Sequence, residues 1–139
     1  MVAYSFKAQF AGPIIDGTKC QTIRANRKRH ARVGEPLQLY IGMRTKQCRK
    51  LLDIDPVCTN VSDIVIDIVD LAQTGFPIID QIWVDDRPLS IAEIEAFAKA
   101  DGFLPVFTDP PADILMAEFW QQNHGYGRFE GVIIQWGTG

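Results

Sequence analysis

Residues Gly17–Arg24 read GTKCQTIR, and this stretch marks where a short helix gives way to a strand. Pro13 suits the first helical turn just before it, and Gly17 can end that helix in a left-handed conformation. The alternation from Cys20 to Arg24 then predicts a strand. Because Tyr4–Phe10 alternates in the same way, the chain is expected to open with a strand, a short helix and a second strand.

Further elements follow from periodicity and from helix capping signals. The later segments predicted as strands are Leu37–Tyr40, Val61–Val69, Ile78–Val84 and Phe129–Trp136. Ser90 and Glu93 form a capping box that opens a helix ending near Asp101, and Asp109-Pro110 is expected to open another. The sequence predicts one α+β domain over residues 1–139, with about three helices. Its strands, about six and mostly antiparallel, could close as a small barrel.

The third predicted helix carries an apolar stripe made of Leu115, Met116, Phe119 and Trp120. Phe119 and Trp120 could be interpreted as a pair on which nucleobases stack. Their place on the helical stripe favours core packing instead.

Charge is distributed unevenly along the chain. Residues 1–50 hold eleven Lys/Arg and two acids, whereas residues 51–139 hold three Lys/Arg and fifteen acids. The first part is therefore +9 and the second −12, within a net charge of −3. Such a split favours a basic patch that meets a nucleotide or a nucleic acid. The alternative is that the two parts neutralise each other across the fold.

Composition narrows the classes of protein that this chain can belong to. Hydrophobic residues make up 47% of it, as in globular proteins, and no apolar run is long enough for a bilayer span or a signal peptide. Three cysteines without a CxxC pair indicate neither a disulfide framework nor a zinc site. We expect a cytoplasmic protein with no membrane partner, no metal and no cofactor.

The spacing Gly17-x-Lys19-x-x-Thr22-x-Arg24 resembles the G-x-K-x-x-[ET]-x-R signature of the ASCH domain, a small barrel of PUA-like fold. The alternating strand and short helix before the motif, the Val33–Glu35 turn after it and the ending Phe129–Trp136 resemble the same family. This resemblance implies a function that involves RNA or nucleosides. It also implies the PUA-like barrel as the form of the predicted sheet.

One branch of that family hydrolyses N4-acetylcytidine to cytidine and acetate, and it has threonine at the sixth signature position, as Thr22 is here. In that branch the lysine and threonine of the motif act with a glutamate from a later strand. The resemblance thus assigns catalytic roles to Lys19 and Thr22. No Glu lies between Glu35 and Glu93, and Asp63 is the carboxylate nearest to the expected place.

The chemistry of amide hydrolysis gives these residues definite tasks. A threonine hydroxyl attacks only after a base takes its proton, and a lysine with a depressed pKa can be that base. The neighbouring cations Arg24, Arg27, Lys28 and Arg29 would disfavour the charged lysine. Arg24, or backbone N–H groups near Gly17, could hold the oxyanion. Lys19 and Thr22 can converge only if Lys19 lies in a loop before the strand, or if a bulge breaks the pleat.

Several residues are candidates for ligand binding rather than for catalysis. The loop of Arg27, Lys28, Arg29 and His30 could contact phosphates, and Tyr40 with Arg44 could stack on and clamp a base. Arg24 could contact a phosphate or a base edge, or could form a structural ion pair. Two rival functions therefore stay open: a non-catalytic RNA-binding module, and a metal-independent ribonuclease that uses His30 or Lys19.

Overall fold

The structure, a computed structural model, describes residues 2–105 and 110–137. Its helices are α1 (Ala11–Asp16), α2 (Ile91–Ala100) and α3 (Ala112–His124), with 3-10 turns at Ala8–Phe10 and Leu71–Gln73. Its strands are β1 (Val2–Phe6), β2 (Gln21–Ala25), β3 (Leu37–Ile41), β4 (Arg49–Lys50), β5 (Cys58–Asp70), β6 (Pro77–Val84), β7 (Arg87–Pro88) and β8 (Gly127–Trp136). The α+β class is confirmed. Eight strands appear in the described ranges where about six were predicted, because β4 and β7 are two-residue strands.

The described strands form two sheets. The smaller sheet has the order β1-β3-β4, with β1 and β3 parallel, and the larger has the order β2-β8-β5-β6-β7 and is antiparallel throughout. An isolated bridge between Pro36 and Val57 links the two sheets. Within residues 2–105 and 110–137 the strand order does not close into a ring, so the predicted barrel is not confirmed.

The boundaries of the local elements follow from capping and turning residues. The predicted strand Tyr4–Phe10 ends at Phe6, because the next residues turn and place Phe10 in the core. Gly17 ends α1 with φ 88°, as its lack of a side chain allows. The Ser90–Glu93 capping box is present at the start of α2.

The start of α3 depends on a side chain from another helix. The α3 N-cap residue, Pro111, makes no side-chain hydrogen bond, whereas Glu95 of α2 accepts from the backbone N–H groups of Ala112 (2.8 Å) and Asp113 (3.1 Å). A carboxylate is favourable at a helix N-terminus because it meets unpaired N–H groups and the positive end of the dipole. Asp109, predicted to open this helix, lies outside the described residues.

The core forms where the larger sheet meets the helices. Ile64, Ile66 and Ile68 of β5 are fully buried on one face of the strand, as the alternating pattern predicts. From α3, Met116 and Trp120 are buried, and Leu115 and Phe119 pack partly buried against the same core. None of the helices in the described ranges combines the length and apolarity required to cross a bilayer.

Candidate functional site

A cavity of about 300 Å³ opens where the end of β1, strand β2, the end of α2 and the later turns of α3 meet. Lys19, Thr22 and Arg24 line it, together with Asp101, an acid that is distant from them in the sequence. The other lining residues are Ser5, Phe6, Lys7, Phe10, Ile23, Ala25, Phe119, Trp120, Asn123 and His124. The GTKCQTIR stretch therefore supplies one wall of a cavity large enough for a small planar ligand.

Lys19 lies between α1 and β2 and turns its side chain into the protein. Its backbone N–H donates to Pro13 O (2.9 Å), and only 3% of the residue is exposed. Its Nζ lies 4.7 Å from the centre of the Phe10 ring and donates to the backbone oxygen of Asp101 at 2.5 Å. Burial lowers the pKa of Lys19, and the nearby carboxylate of Asp101 opposes this shift. The amine is thus closer to its neutral form than an exposed lysine is.

Asp101 is the carboxylate that the fold brings to Lys19. It is the C-cap of α2, is 4% exposed, and its Oδ1 lies 3.3 Å from Lys19 Nζ and 3.3 Å from Gln21 Nε2. Burial raises the pKa of Asp101, although Lys19 and Gln21 counteract this. Burial therefore shifts the pKa of both partners in the direction that favours their neutral forms.

Gly102 leaves the space that the lysine needs. Its φ is +99°, and a Cβ at this position would lie 2.9 Å from both Lys19 Cδ and Phe10 Cδ1. The Asp-Gly pair after α2 thus both ends the helix and admits the side chain of Lys19.

Thr22 and Arg24 lie two positions apart on β2 and share one face of the strand. Thr22 Oγ1 accepts a hydrogen bond from Arg24 Nε (3.0 Å), and Arg24 Nη2 donates to Ser5 O (2.7 Å). Burial lowers the pKa of Arg24 to about 10, which leaves the guanidinium charged at neutral pH. Because Thr22 Oγ1 accepts from a cation, its own proton is free to go to a base, and an alkoxide there would be stabilised.

Lys19 and Thr22 meet across the cavity rather than through a direct contact. Lys19 precedes the first residue of β2, as convergence requires, and both side chains line the cavity. Within the part of the chain that the structure describes, no hydrogen bond joins the two directly. A ligand or a water molecule between them would complete the contact.

The structure corrects the expectation that backbone N–H groups near Gly17 could hold an oxyanion. The backbone N–H groups near Gly17 all have acceptors: that of Gly17 donates to Ile14 O, that of Thr18 to Asp16 Oδ1 and that of Lys19 to Pro13 O. They are thus not available to an oxyanion, which leaves that role to Arg24. Gly17 itself serves as the end of α1.

Asp63 lies away from Lys19. It is on the exposed face of β5, paired with Val132 in β8, and its backbone N–H donates to Asp85 Oδ1. Its neighbours Ser62 and Ile64 point inwards instead. A register shift between Cys58 and Asn60 precedes this part of the strand. The carboxylate beside Lys19 is therefore Asp101, which the sequence pattern identified only as the end of a helix.

The side chains of the basic loop Arg27–His30 differ in their contacts. Arg29 donates to Glu35 Oε2 (2.6 Å), and this contact lowers the pKa of Glu35 to about 2. His30 receives a hydrogen bond from the Tyr4 hydroxyl at Nδ1 (3.0 Å) and donates from Nε2 to Ala25 O (2.9 Å). Arg27 lies 4.8 Å from the centre of the Tyr4 ring, and Lys28 is exposed. Arg29 and His30 thus hold the loop in place, Arg27 stays exposed while its Nε donates to Arg29 O (2.8 Å), and Lys28 is exposed.

Tyr40 and Arg44 do not join the cavity. Tyr40 lies in β3, where it pairs with Lys50, and Arg44 lies in the exposed turn after β3 at φ 67°. Neither residue lines the cavity. The base-stacking role expected for Tyr40 with Arg44 therefore has no support from the geometry.

Aromatic rings form the opposite wall of the cavity. The Trp120 ring lies 4.8 Å from that of His124, and Phe119 lies 5.4 Å from Phe10. Trp120 Nε1 is buried and has no acceptor among the described residues. Unpaired buried donors are rare, and a carbonyl oxygen of a bound ligand could pair with this one after a small movement.

Metal coordination finds no support in the described part of the chain. There, no three His, Cys, Asp or Glu residues cluster as metal ligands would, and Cys20, Cys48 and Cys58 are free thiols.

The contacts of His30 predict a pH-dependent contribution to stability. Burial lowers the pKa of His30, and Arg27 and Arg24 act in the same direction. The unfolded chain, with a histidine pKa of about 6.5, therefore takes up the proton first. The contribution of His30 should be complete above about pH 6.5 and should decline as the pH falls below it.

Urea unfolding of the parent and of His30→Gln at about pH 7.5 and about pH 5 measures this contribution. The stability advantage of the parent over the variant should shrink at the lower pH. A pH-independent difference between the two proteins would contradict the assigned environment of His30.

Comparison of the chain with protein-family models, with curated proteins and with solved structures found no match.

Proposed function

We infer that this chain is an ASCH-type protein of PUA-like fold that hydrolyses an N4-acylated pyrimidine nucleoside, with N4-acetylcytidine giving cytidine and acetate. One observation carries the proposal. A buried lysine, paired with a buried aspartate, shares a cavity with a threonine whose hydroxyl accepts from an arginine. These are the base, the nucleophile and the charge-stabilising group that amide hydrolysis requires.

The acylation step begins with proton transfer from Thr22 Oγ1, through a water molecule between the two side chains, to the neutral amine of Lys19. The alkoxide attacks the carbonyl carbon of the acetyl group, and the negative charge passes to the carbonyl oxygen, which Arg24 stabilises. The C–N bond then breaks, and the ammonium of Lys19 returns its proton to N4 of the leaving cytosine. Cytidine departs, and the acetyl group remains as an ester on Thr22.

A water molecule completes the turnover. Lys19 takes a proton from this water, the resulting hydroxide attacks the ester carbonyl, and the ester bond to Thr22 breaks. The proton on Lys19 returns to Thr22 Oγ1, and acetic acid leaves as acetate after losing its proton to solvent. Asp101 holds the Lys19 amine in place and stabilises the ammonium form in each half of the cycle.

The cavity suits such a substrate in size and in lining. Its volume of about 300 Å³ is at the small end of the range for ligand sites, roughly 300–1,000 Å³. Phe6, Phe10 and Trp120 contribute apolar surface to the lining of the cavity. The pyrimidine carbonyl could accept from Trp120 Nε1.

The rival functions have less support from the geometry. A ribonuclease that uses His30 as a proton carrier would need a free imidazole nitrogen, whereas both nitrogens of His30 are engaged with Tyr4 and Ala25. A binding module with no catalysis gives no reason for burying Lys19 against Asp101, since a buried charge pair rarely contributes to stability.

The test is chromatography of N4-acetylcytidine incubated with the purified protein. The parent should release cytidine and acetate in equal amounts. Asp101→Asn should lower kcat by about 10- to 100-fold, because the ammonium of Lys19 loses its counter-charge. Asp63→Asn removes the same charge on the exposed face of β5 and should retain the parental rate.

Each result of this assay is informative. No cytidine from the parent, at protein concentrations comparable with substrate, would refute the proposed reaction. If Asp63→Asn lost activity while Asp101→Asn kept full activity, the acid that supports Lys19 would be Asp63 on β5. That result would refute the role proposed for Asp101.

A further inference from the structure

We propose that the cavity recognises the base of its ligand through the main chain of Ile23, whose N–H donates to a ring nitrogen and whose carbonyl oxygen accepts from the adjacent amino group. For cytosine these two groups are N3 and N4–H. The identity of the base rests on the proposed function, whereas the open main-chain pair follows from the fold alone. Such a pair would select the base, a task that the groups assigned to the reaction do not perform.

Strand β2 lies at the edge of the larger sheet. It pairs with β8 along one side and with no strand of the described ranges along the other. The backbone N–H of Trp136 donates to Cys20 O (3.0 Å), so this pair, which continues the β2–β8 register, is a hydrogen-bonded one. Because hydrogen-bonded and non-hydrogen-bonded pairs alternate in an antiparallel ladder, Thr22 and Arg24 also bond to β8. The N–H and the carbonyl oxygen of Ile23 therefore point to the open edge.

The cavity runs along this open edge. Four consecutive residues of β2, from Thr22 to Ala25, line it. Successive side chains of a strand point to opposite faces, so a cavity on one face would meet only every second residue. Contact with all four residues indicates that the cavity lies beside the strand. Ser5, Phe6 and Lys7, at the end of β1, line it as well, so the open edge of β2 faces a gap between the two strands.

The main-chain oxygens around Ile23 already have donors. His30 Nε2 donates to Ala25 O (2.9 Å), and Arg24 Nη2 donates to Ser5 O (2.7 Å). Among the residues that the structure describes, no group donates to the carbonyl oxygen of Ile23 or accepts from its N–H. An added peptide strand would need a row of free main-chain groups. The edge at Ile23 suits instead a small ligand with one acceptor beside one donor.

A cytosine ring has the matching edge. Its N3 accepts a hydrogen bond, and its N4–H, on the neighbouring atom of the ring, donates one. Acylation of N4 leaves one N4–H, so the substrate and the product of the proposed reaction offer the same pair. Ile23 is half-buried, and a main-chain group that is removed from water without a partner is costly. A base that supplies both partners should therefore bind more tightly than one that lacks either.

The first experiment varies the ligand and requires no turnover. Isothermal titration calorimetry compares cytidine with 3-deazacytidine, which lacks the N3 acceptor, and with pyrimidin-2-one riboside, which lacks the 4-amino donor. Each analogue should bind the parent protein about tenfold more weakly than cytidine, because it leaves one main-chain group unpaired. The control is 2′-deoxycytidine, which keeps the base edge and should bind within about threefold of cytidine.

The second experiment varies the protein. Ile23→Pro removes the N–H without removing a bond to β8, because an edge strand tolerates proline where the N–H faces away from the sheet. The variant should bind cytidine about tenfold more weakly and should no longer distinguish cytidine from 3-deazacytidine. Ile23→Val keeps both the N–H and a β-branched side chain, and should keep the parental ratio. If Ile23→Pro does not fold, the two analogue ratios of the parent decide alone.

The failures of the two proposals are distinguishable. A preference for cytidine over both analogues, without any hydrolysis of N4-acetylcytidine, would leave the main-chain recognition standing and refute the reaction. Equal binding of cytidine and the two analogues would overturn the recognition whether or not N4-acetylcytidine is hydrolysed. A folded Ile23→Pro that still prefers cytidine to 3-deazacytidine as strongly as the parent does would also overturn it, since another donor would then contact N3.

Discussion

Lys19→Met is expected to lower kcat for N4-acetylcytidine hydrolysis by about 10²- to 10⁴-fold, the usual contribution of a positioned general base. Methionine keeps an unbranched apolar chain against Phe6 and Phe10, although the buried Asp101 loses its cationic partner. What disappears is the amine that, in the proposed mechanism, takes the proton of Thr22. Initial rates measured by chromatography give the effect, with Lys46→Met as the matched surface control.

The reaction should also depend on pH in a defined direction. Only the neutral amine of Lys19 acts as a base, so kcat/KM should rise with pH through the pKa of Lys19. Burial lowers that pKa, so the rise should lie below about pH 10.4, the ordinary value for lysine. The rise should be absent from the residual rate of Lys19→Met. If kcat of Lys19→Met were within about threefold of the parental kcat, Lys19 could not be the general base.

Gly131→Ala is expected to destabilise the fold by about 3 kcal/mol, the upper part of the usual range for overpacking. Gly131 of β8 lies between Ala25 of β2 and Ile64 of β5. A Cβ at this position would lie 2.2 Å from the backbone oxygen of Arg24. Since a backbone atom cannot rotate away, β2 must move from β8, and the move would displace Thr22 and Arg24 as well.

Urea unfolding measures the effect of the added methyl group, and cytidine release should fall with it. Gly137→Ala is the matched control, because its Cβ would meet its nearest neighbour at an ordinary 3.5 Å from Thr59 Cγ2. Equal stability of the two variants would show that the approach of β2 to Gly131 is looser than the structure gives.

The features that the sequence predicts well are those decided by neighbouring residues. The Ser90–Glu93 capping box acts over three positions, and Gly17 ends its helix through its own backbone freedom. The isoleucines at every second position, Ile64, Ile66 and Ile68, predict which face of β5 is buried. The position of Lys19 before β2 also follows from the adjoining glycine and from the start of the alternating pattern.

The pairing of Lys19 with Asp101 could not be predicted in this way. Eighty-two positions separate the two residues, and their contact depends on where α2 ends relative to β2. The family resemblance indicates Asp63 because it implies an acid on a later strand, but the pleat of β5 turns this side chain outwards. Side-chain contacts across the fold depend on strand register and helix length together, and an error of one residue in either moves a carboxylate to the opposite face.

The position of β8 in the larger sheet has a consequence for how the chain folds during synthesis. β8 follows β1 to β7 in the sequence, yet it lies between β2 and β5 in the sheet. Until it is made, β2 has no partner in that sheet and β5 has an open edge, and exposed edges of this kind recruit other strands. Folding must therefore wait for contacts between distant parts of the chain, which slows it. The cavity wall formed by β2 should become ordered only late, so a nascent chain that ends before β8 should be both inactive and prone to aggregate.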